Sequence, residues 1–377
     1  GCKKTIARIR NPQYTDHLQF IKKELGIDHI VNPDLSSANE IKRFLVKKFR
    51  FYSTDLAEGK VQLVDIILRE RHGLHGKKIH EVSGLDNVLI VAILREGKII
   101  IPDGQTVLRL QDVLYFIGKT TDITELSGRF GLNLKDVRVN RAMILGGGKI
   151  GYYLAKLLSE ENMEVSVIES SRDRCKYLAE KLKNVMVIHG DGTEGSLLQE
   201  EGLENTDAFI SVTGLDEQNL LMSLVAKNAG VPKTIAKVSR PNYQTLTNQV
   251  GSDVTISPVN ITVSEILKYI RGGTILSISL LLGGQAEVTE IVLRDDQPHL
   301  GRTLMELDLP KGMIIGAIIR EGRVIIPDGS TTLEPRDRVI IFCLESKVEE
   351  LDSFLHAVTE GKLHNFWKKQ GLGKLLR

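Results

Sequence analysis

Cysteine is scarce: Cys2, Cys175 and Cys343 are the only three in 377 residues, odd in number and without metal-ligand spacing. That argues against a disulfide framework and for a reducing compartment. An excess of one charge is missing too. Lys and Arg total 50 against 48 Asp and Glu, a formal charge of +2, where a dedicated nucleic-acid binder carries a basic excess or stripe, so no nucleic-acid partner is expected. No apolar run reaches the roughly 18 to 20 residues that cross a bilayer; the longest, Thr274 to Leu282, lies between glycine pairs and contains serines. No secretory leader is visible, and the chain opens Gly1-Cys2-Lys3-Lys4 without a Met. The nine histidines are dispersed, and none forms a His-x-x-x-His or His/Cys metal pattern.

What is present is the composition of a soluble globular protein, 42% apolar and 26% charged. At about 150 residues per domain the length amounts to about two and a half domains. The chain also repeats itself. Thr5-Ile-Ala-Arg-Ile-Arg-Asn-Pro-Gln-Tyr14 recurs as Thr234-Ile-Ala-Lys-Val-Ser-Arg-Pro-Asn-Tyr243, an offset of 229. The offset then settles at 225, matching Asp28 to Asp253, Pro33 to Pro258 and Glu40-Ile41 to Glu265-Ile266. Arg95-Glu-Gly-Lys-Ile-Ile-Ile-Pro-Asp-Gly104 matches Arg320-Glu-Gly-Arg-Val-Ile-Ile-Pro-Asp-Gly329, and Asp112 matches Asp337. A unit this long is a duplicated domain pair rather than a solenoid repeat.

Each unit has two parts. Residues 139–272 alternate apolar strands with helices, which implies a parallel sheet wound on both faces. Residues of about 284–356 read as short strands with turns, and Arg320-Glu-Gly-Arg323 between two apolar runs predicts a tight hairpin. The expected divisions are 1–52, the end of a first strand–helix unit; 53–122, its small module; 139–272, a complete second unit; 273–358, a second module; and 359–377, a basic tail. Counting back by the repeat spacing puts the counterpart of Gly146 before residue 1, so the first unit is expected to be partial.

Between the predicted strand ending at Leu145 and the next helix stands Gly146-Gly147-Gly148-Lys149-Ile150-Gly151, a G-x-G-x-x-G, with Glu169 ending the following strand. Such a pattern serves a pyrophosphate: the first glycine permits the tight turn, the second lets backbone approach the phosphates, and the third allows close helix–strand packing. The helix N-terminus adds free N–H donors and partial positive charge. An acid at Glu169 suits the two ribose hydroxyls and disfavours a 2′-phosphate, so NAD(H) or an adenine nucleotide is expected. A structural glycine turn over an empty cleft is the competing reading.

Three further segments return to this edge. His189-Gly-Asp191-Gly-Thr193 is placed to line an adenine pocket, or Asp191 or Thr193 caps the next helix. Thr213-Gly214 follows the fourth strand, where the topology switches. Lys237, and Arg8 in the other repeat, lie in the next strand, as phosphate-facing cations or as solvated edge charges. A general acid or nucleophile of the kind that hydride-transfer enzymes place beside the nicotinamide is not evident; His189 is the one histidine near the cleft. The duplicated plan suits a sensor in which ligand shifts the geometry between modules.

In tandem, these motifs resemble the regulatory subunits of Trk-type potassium uptake systems, the TrkA type with KTN/RCK domains. The resemblance covers residues 3–356 and implies an α/β fold of Rossmann-like doubly wound parallel sheets alternating with small α+β RCK_C modules. It implies a cytoplasmic protein, peripheral at the inner face of the membrane, that binds NAD(H), or else ATP/ADP, and gates a membrane potassium transporter. It also implies assembly into dimers or tetramers as a gating ring. Ligand contacts would fall on Gly146–Ile150, Glu169, Thr213-Gly214 and Lys237, and on Arg8. Helix Pro258–Ile270 and its counterpart Pro33–Phe44 resemble the crossover helix through which such domains pair; a buried core helix would show the same pattern. The tail Leu363–Arg377, with Trp367 among basic residues, is either solvated or touches a membrane or transporter. The alternatives to gating are an NAD-dependent dehydrogenase and a regulatory domain of another channel or antiporter.

Overall fold

The structure is a computed structural model describing residues 4–11, 18–46, 54–85, 87–130, 138–240, 252–281, 284–297, 299–307 and 309–355. The expected tail, and Tyr14 and Tyr243 of the first repeat match, lie outside them.

A six-stranded, all-parallel sheet holds the centre. Its strands are β8 (Arg141–Leu145), β9 (Glu164–Glu169), β10 (Val185–His189), β11 (Ala208–Ser211), β12 (Lys233–Lys237) and β13 (Val254–Ile256), in the order β10-β9-β8-β11-β12-β13. This is the doubly wound order, with the switch between β8 and β11. Alternation along β8 splits its side chains between two cores: Ala142 and Ile144 face one, Met143 and Leu145 the other. The second core is closed by helices α6 (Gly195–Glu200) and α7 (Asp216–Asn228) through Leu198, Met222 and Ala226. The first is closed by α4 (Lys149–Ser159), whose Ile150, Tyr153, Leu154 and Leu158 fall on one helical face, and by α5 (Arg172–Lys181) through Leu178.

The first core has a third contributor from far away in sequence. Helix α2 (Pro33–Val46) inserts Ala38, Ile41, Phe44 and Leu45 into it. Burying each of the larger three stabilises the docking by about 1.5–3 kcal/mol. Asn32 donates to the Tyr153 hydroxyl at 3.1 Å, fastening the start of α2 to α4. The buried Lys233 donates to the Phe44 and Leu45 carbonyls at 3.3 Å each, satisfying acceptors that the end of α2 leaves open. The first repeat's helix is therefore part of the second unit's core. Its counterpart α8 (Pro258–Arg271) is half-buried and reaches back: Tyr269 stacks on His29, and Glu265 accepts from Ser36 at 3.0 Å. Both readings of this helix pair have a counterpart in the packing: α2 is a buried core helix, and the core it fills and the contacts of α8 lie across the repeats.

Strands β1 (Ile6–Arg8) and β2 (His29–Val31) form a parallel two-stranded sheet in the register Ile6–His29 to Arg8–Val31. Shifted by the repeat offsets, this is the register of β12 with β13, Ile235–Val254 to Lys237–Ile256.

The two small modules are antiparallel five-stranded sheets. The first runs β3 (Thr54–Leu56), β4 (Val61–Ile67), β5 (Val88–Arg95), β6 (Lys98–Ile100) and β7 (Val113–Lys119), in the order β3-β4-β7-β5-β6. The second runs β14 (Ile275–Leu281), β15 (Ala286–Val292), β16 (Met313–Arg320), β17 (Arg323–Ile325) and β18 (Arg338–Leu344), in the order β14-β15-β18-β16-β17. Four of the five strands coincide end for end at the 225 offset. The predicted hairpin is present twice, with Glu96-Gly97 and Glu321-Gly322 at positive φ as a two-residue turn requires. The repeated Arg and Asp are explained here. Arg95 grips Asp112 with two hydrogen bonds of 2.8 and 2.7 Å, and Arg320 grips Asp337 at 2.9 and 2.8 Å. Each arginine also donates to a carbonyl, Val107 or Thr332, at 2.7 Å, so the hairpin is tied to the strand behind it.

Asp65 lies in β4 opposite Tyr115. Part of the residue reaches solvent, but protein surrounds the carboxyl, and burial pushes its pKa from 3.8 up to about 6. The folded state therefore prefers the neutral acid. That contribution is fully present below pH 3.8 and is lost as pH rises through about 6. Asp65→Asn should accordingly stabilise the protein at pH 8 by about 2–3 kcal/mol and have little effect near pH 4. Urea unfolding at both pH values checks this; equal effects at both would contradict it.

Candidate functional site

The C-terminal ends of the parallel strands carry the glycine loop. Chain direction reverses from β8 into α4 within Gly146-Gly147-Gly148, and Gly148 caps the helix. Gly146 has φ +105°, and a Cβ there would meet the Thr213 nitrogen and the Val212 carbonyl carbon at 3.1 Å, so the loops after β8 and β11 touch. A Cβ on Gly151 would stand 2.0 Å from the Gly146 carbonyl oxygen. A Cβ built on Gly148 would meet nothing within 4 Å, so that side of its exposed backbone is open to an approaching group. Beside it Lys149 is exposed at the positive end of α4, while Ile150 is buried core.

Glu169 is held, not loose. Its Oε2 accepts from Gly147 N–H and its Oε1 from Ser171 N–H, each at 2.8 Å. Each oxygen keeps lone-pair capacity for a further donor, the requirement for gripping ribose hydroxyls. Arg174, which sequence reasoning missed, donates to the carbonyls of Gly147 and Gly148 at 2.7 and 3.1 Å and lies over the Tyr177 ring. Its position in the first turn of the helix after Glu169 was the available signal.

Asp191 and Thr193 sit on the loop after β10, exposed and bonded to each other: Thr193 N–H and Oγ1 donate to Asp191 Oδ1 at 2.9 and 2.8 Å. These bonds hold the Asp191 carboxyl below the usual carboxylate range. Neither side chain caps α6, whose N-cap is Glu194 without a side-chain bond. The loop is nevertheless pressed to the same edge, since a Cβ on Gly192 would fall 2.1 Å from Leu145 Cδ1.

Across the switch point, Thr213 and Gly214 follow β11, and a buried amide organises them. Asn219 accepts from Ser211 Oγ, Thr213 N–H and Thr213 Oγ1 at 2.8, 2.9 and 2.8 Å, and donates to the Thr213 and Lys237 carbonyls. It too was missed; a buried Asn in the first turn of a helix was the clue. Lys237 is 8% exposed, and its ammonium donates to the Thr213 carbonyl at 3.0 Å and pairs with Asp216 at 3.4 Å. It supports the Thr213 loop from below and is neither a free cation nor a solvated edge charge. Burial opposes ionisation of Asp216, but the N–H groups of Ser239 and Arg240 and the Lys237 ammonium outweigh it and lower its pKa. Arg8 is exposed at the end of β1, in the separate two-stranded sheet, and is not brought to this cleft.

Glycine loop, anchored acid and switch-point loop define a dinucleotide-fold protein, in which an open α/β cleft alternates with β-rich modules. Comparison with known proteins narrows the class. The TrkA-N domain model matches residues 142–258, and the TrkA-C domain model matches twice, at 63–131 and 288–356. Trk system potassium uptake protein TrkA homolog 1 of Methanosarcina mazei is 35% identical over 352 residues, 93% of this chain and 78% of that protein. The TrkA homolog of Archaeoglobus fulgidus is 36% identical over 352 residues, 93% of this chain and 79% of that protein. The Vibrio alginolyticus TrkA is 32% identical over 350 residues, 91% and 76% of the two chains. This chain belongs to the TrkA family of Trk system potassium uptake proteins. Among solved structures, the GsuK RCK domain matches 94% of this chain and 75% of its own at 19% identity and a TM-score of 0.45. The GsuK channel bound to NAD matches 94% and 62% at 18% identity and the same TM-score, 0.45. No helix among the described residues is long and apolar enough to cross a membrane.

Proposed function

We propose that this chain is a non-enzymatic, nucleotide-sensing regulatory subunit that gates a Trk-type potassium uptake transporter. The observation that carries the reading is the glycine loop opening α4 at the switch point, with Glu169 already anchored beside it. Family membership supplies the partner class. The ligand is NAD(H), with ATP or ADP as the second candidate for the same cleft. Gly146 to Gly151, with Lys149 at the helix start, would hold the phosphates, and Glu169 the ribose hydroxyls. Asp191, Thr193, Thr213 and Gly214 would close the walls, and Lys237 would brace the Thr213 side. Bound there, the dinucleotide supplies negative charge and hydroxyl donors. The protein works in the cytoplasm, peripheral to the membrane, as a dimer or tetramer.

Strand β12 is the relay this reading uses. Its Lys237 braces the Thr213 loop at the cleft, while its Lys233 holds the end of α2 from the other repeat. A ligand that repositions the Thr213 loop thereby acts on the inter-repeat contact, provided it binds one geometry better than the other. Reconstituting the partner transporter in potassium-loaded vesicles tests this. Adding the chain with NADH or ATP should change potassium flux. If neither nucleotide binds the chain or alters flux, the proposal fails.

A further inference from the structure

The two small modules pack face to face through one core. From the first come Leu63, Val91, Ala92, Leu94, Tyr115 and Ile117; from the second come Val288, Ala317, Ile319, Ile340 and Phe342. Shifted by 225, Leu63 becomes Val288, Ala92 becomes Ala317, Leu94 becomes Ile319, Tyr115 becomes Ile340 and Ile117 becomes Phe342. Equivalent faces thus meet, as in a two-fold dimer of like modules. A duplicated domain with such a face could in principle pair with its own kind in another copy of the chain.

The face is not self-complementary at two places. Both sheets carry a register shift at the same strand position, Val91 in the first module and Gly316 in the second. A Cβ on Gly316 would stand 3.2 Å from Val91 Cγ1 and 3.1 Å from Ile117 Cδ1. Val91 and Gly316 are counterparts and meet, so they sit on the axis relating the modules. There one module supplies a side chain and the other the space for it. Two first modules would set valine against valine, and two second modules would leave a void; both cost packing.

The rim repeats the asymmetry in charge. Arg338 of the second module pairs with Glu290 of its own sheet and, at 3.0 Å, with Glu58 of the first module. Glu290 also accepts from the Ala57 N–H of the first module at 3.1 Å. The counterparts are Val113 for Arg338, Asp65 for Glu290 and Gly283 for Glu58. Among the described residues Asp65 is paired with no cation, and burial keeps its carboxyl largely neutral at mildly acid pH. Two first modules would bring Glu58 and Asp65 together with no arginine. Two second modules would give Arg338 no Glu58.

We propose that this face is an interaction surface keyed to the unlike module, so that a first module accepts a second module and rejects its own kind. Copies of the chain therefore do not join by like-with-like pairing of these modules.

The test makes the second face resemble the first and then restores the complement. In the full chain, Gly316→Val should lower the thermal midpoint by roughly 3 °C or more and expose the modules to protease. Adding Val91→Gly, which moves the space to the first module, should recover most of that midpoint and the protease resistance. A single variant with an unchanged midpoint overturns the proposal. So does a double variant no better than the single, because the losses would then be independent at each site rather than set by pairing.

Discussion

Gly151→Ala should cost this protein nucleotide affinity by a factor on the order of a hundred or more, about 3 kcal/mol. The added Cβ would fall 2.0 Å from the Gly146 carbonyl oxygen and 3.1 Å from the Gly146 carbonyl carbon. Both are backbone atoms, so no side chain can swing aside. Relief requires α4 or the glycine loop to move by roughly an ångström, and such a displacement of binding groups weakens what they hold by orders of magnitude. Overpacking should also lower stability by about 1–3 kcal/mol. Titrating NADH into the folded variant separates the two effects. Wild-type affinity in the variant would mean that the loop does not hold the nucleotide.

Arg320→Ala should have its large effect on stability instead. Asp337 is 1% exposed, and the arginine supplies two of its hydrogen bonds. Removing one partner of a buried pair leaves an uncompensated charge, at about 3–5 kcal/mol. The lower end applies here, because Arg320 is partly exposed and Glu334 N–H still donates to Asp337 at 2.9 Å. Denaturant unfolding of the full chain should show a loss of about 3 kcal/mol, with NADH affinity retained in the folded fraction. Arg320→Lys should recover only part of the loss, since an ammonium cannot make the two-pronged contact. Full stability with lost nucleotide binding would reverse the assignment and make the repeated arginine a ligand residue.

These cases show what the sequence could and could not reveal. The parallel sheet and the glycine loop were legible because strand alternation and G-x-G-x-x-G followed by an acid are local patterns. The repeat was legible as identity in register, although the reason for its most repeated block, an arginine clamped on a buried aspartate, needed the fold. Arg174 and Asn219 were not found because what marks them is the carbonyls and hydroxyls they serve, contributed by segments up to 27 residues away. For Lys237 the sequence leaves a phosphate-facing cation and a solvated edge charge equally open; Asp216 and the Thr213 carbonyl, which its ammonium contacts, converge on it only in three dimensions. The place of α2 in the second unit's core was equally hidden, since a helix's apolar stripe does not say which sheet it covers.

The proposed regulation rests on binding of an adenine nucleotide in the cleft over β8 and β11, through its glycine loop and anchored acid. Calorimetric titration of NADH, and separately of ATP, into the full chain and into its Glu169→Ala variant tests it most directly. One saturable site per chain is expected, with NADH binding weakened in the variant by about 1–3 kcal/mol as charged hydrogen bonds are lost. No heat of binding with either nucleotide, or an affinity indifferent to Glu169, would contradict it.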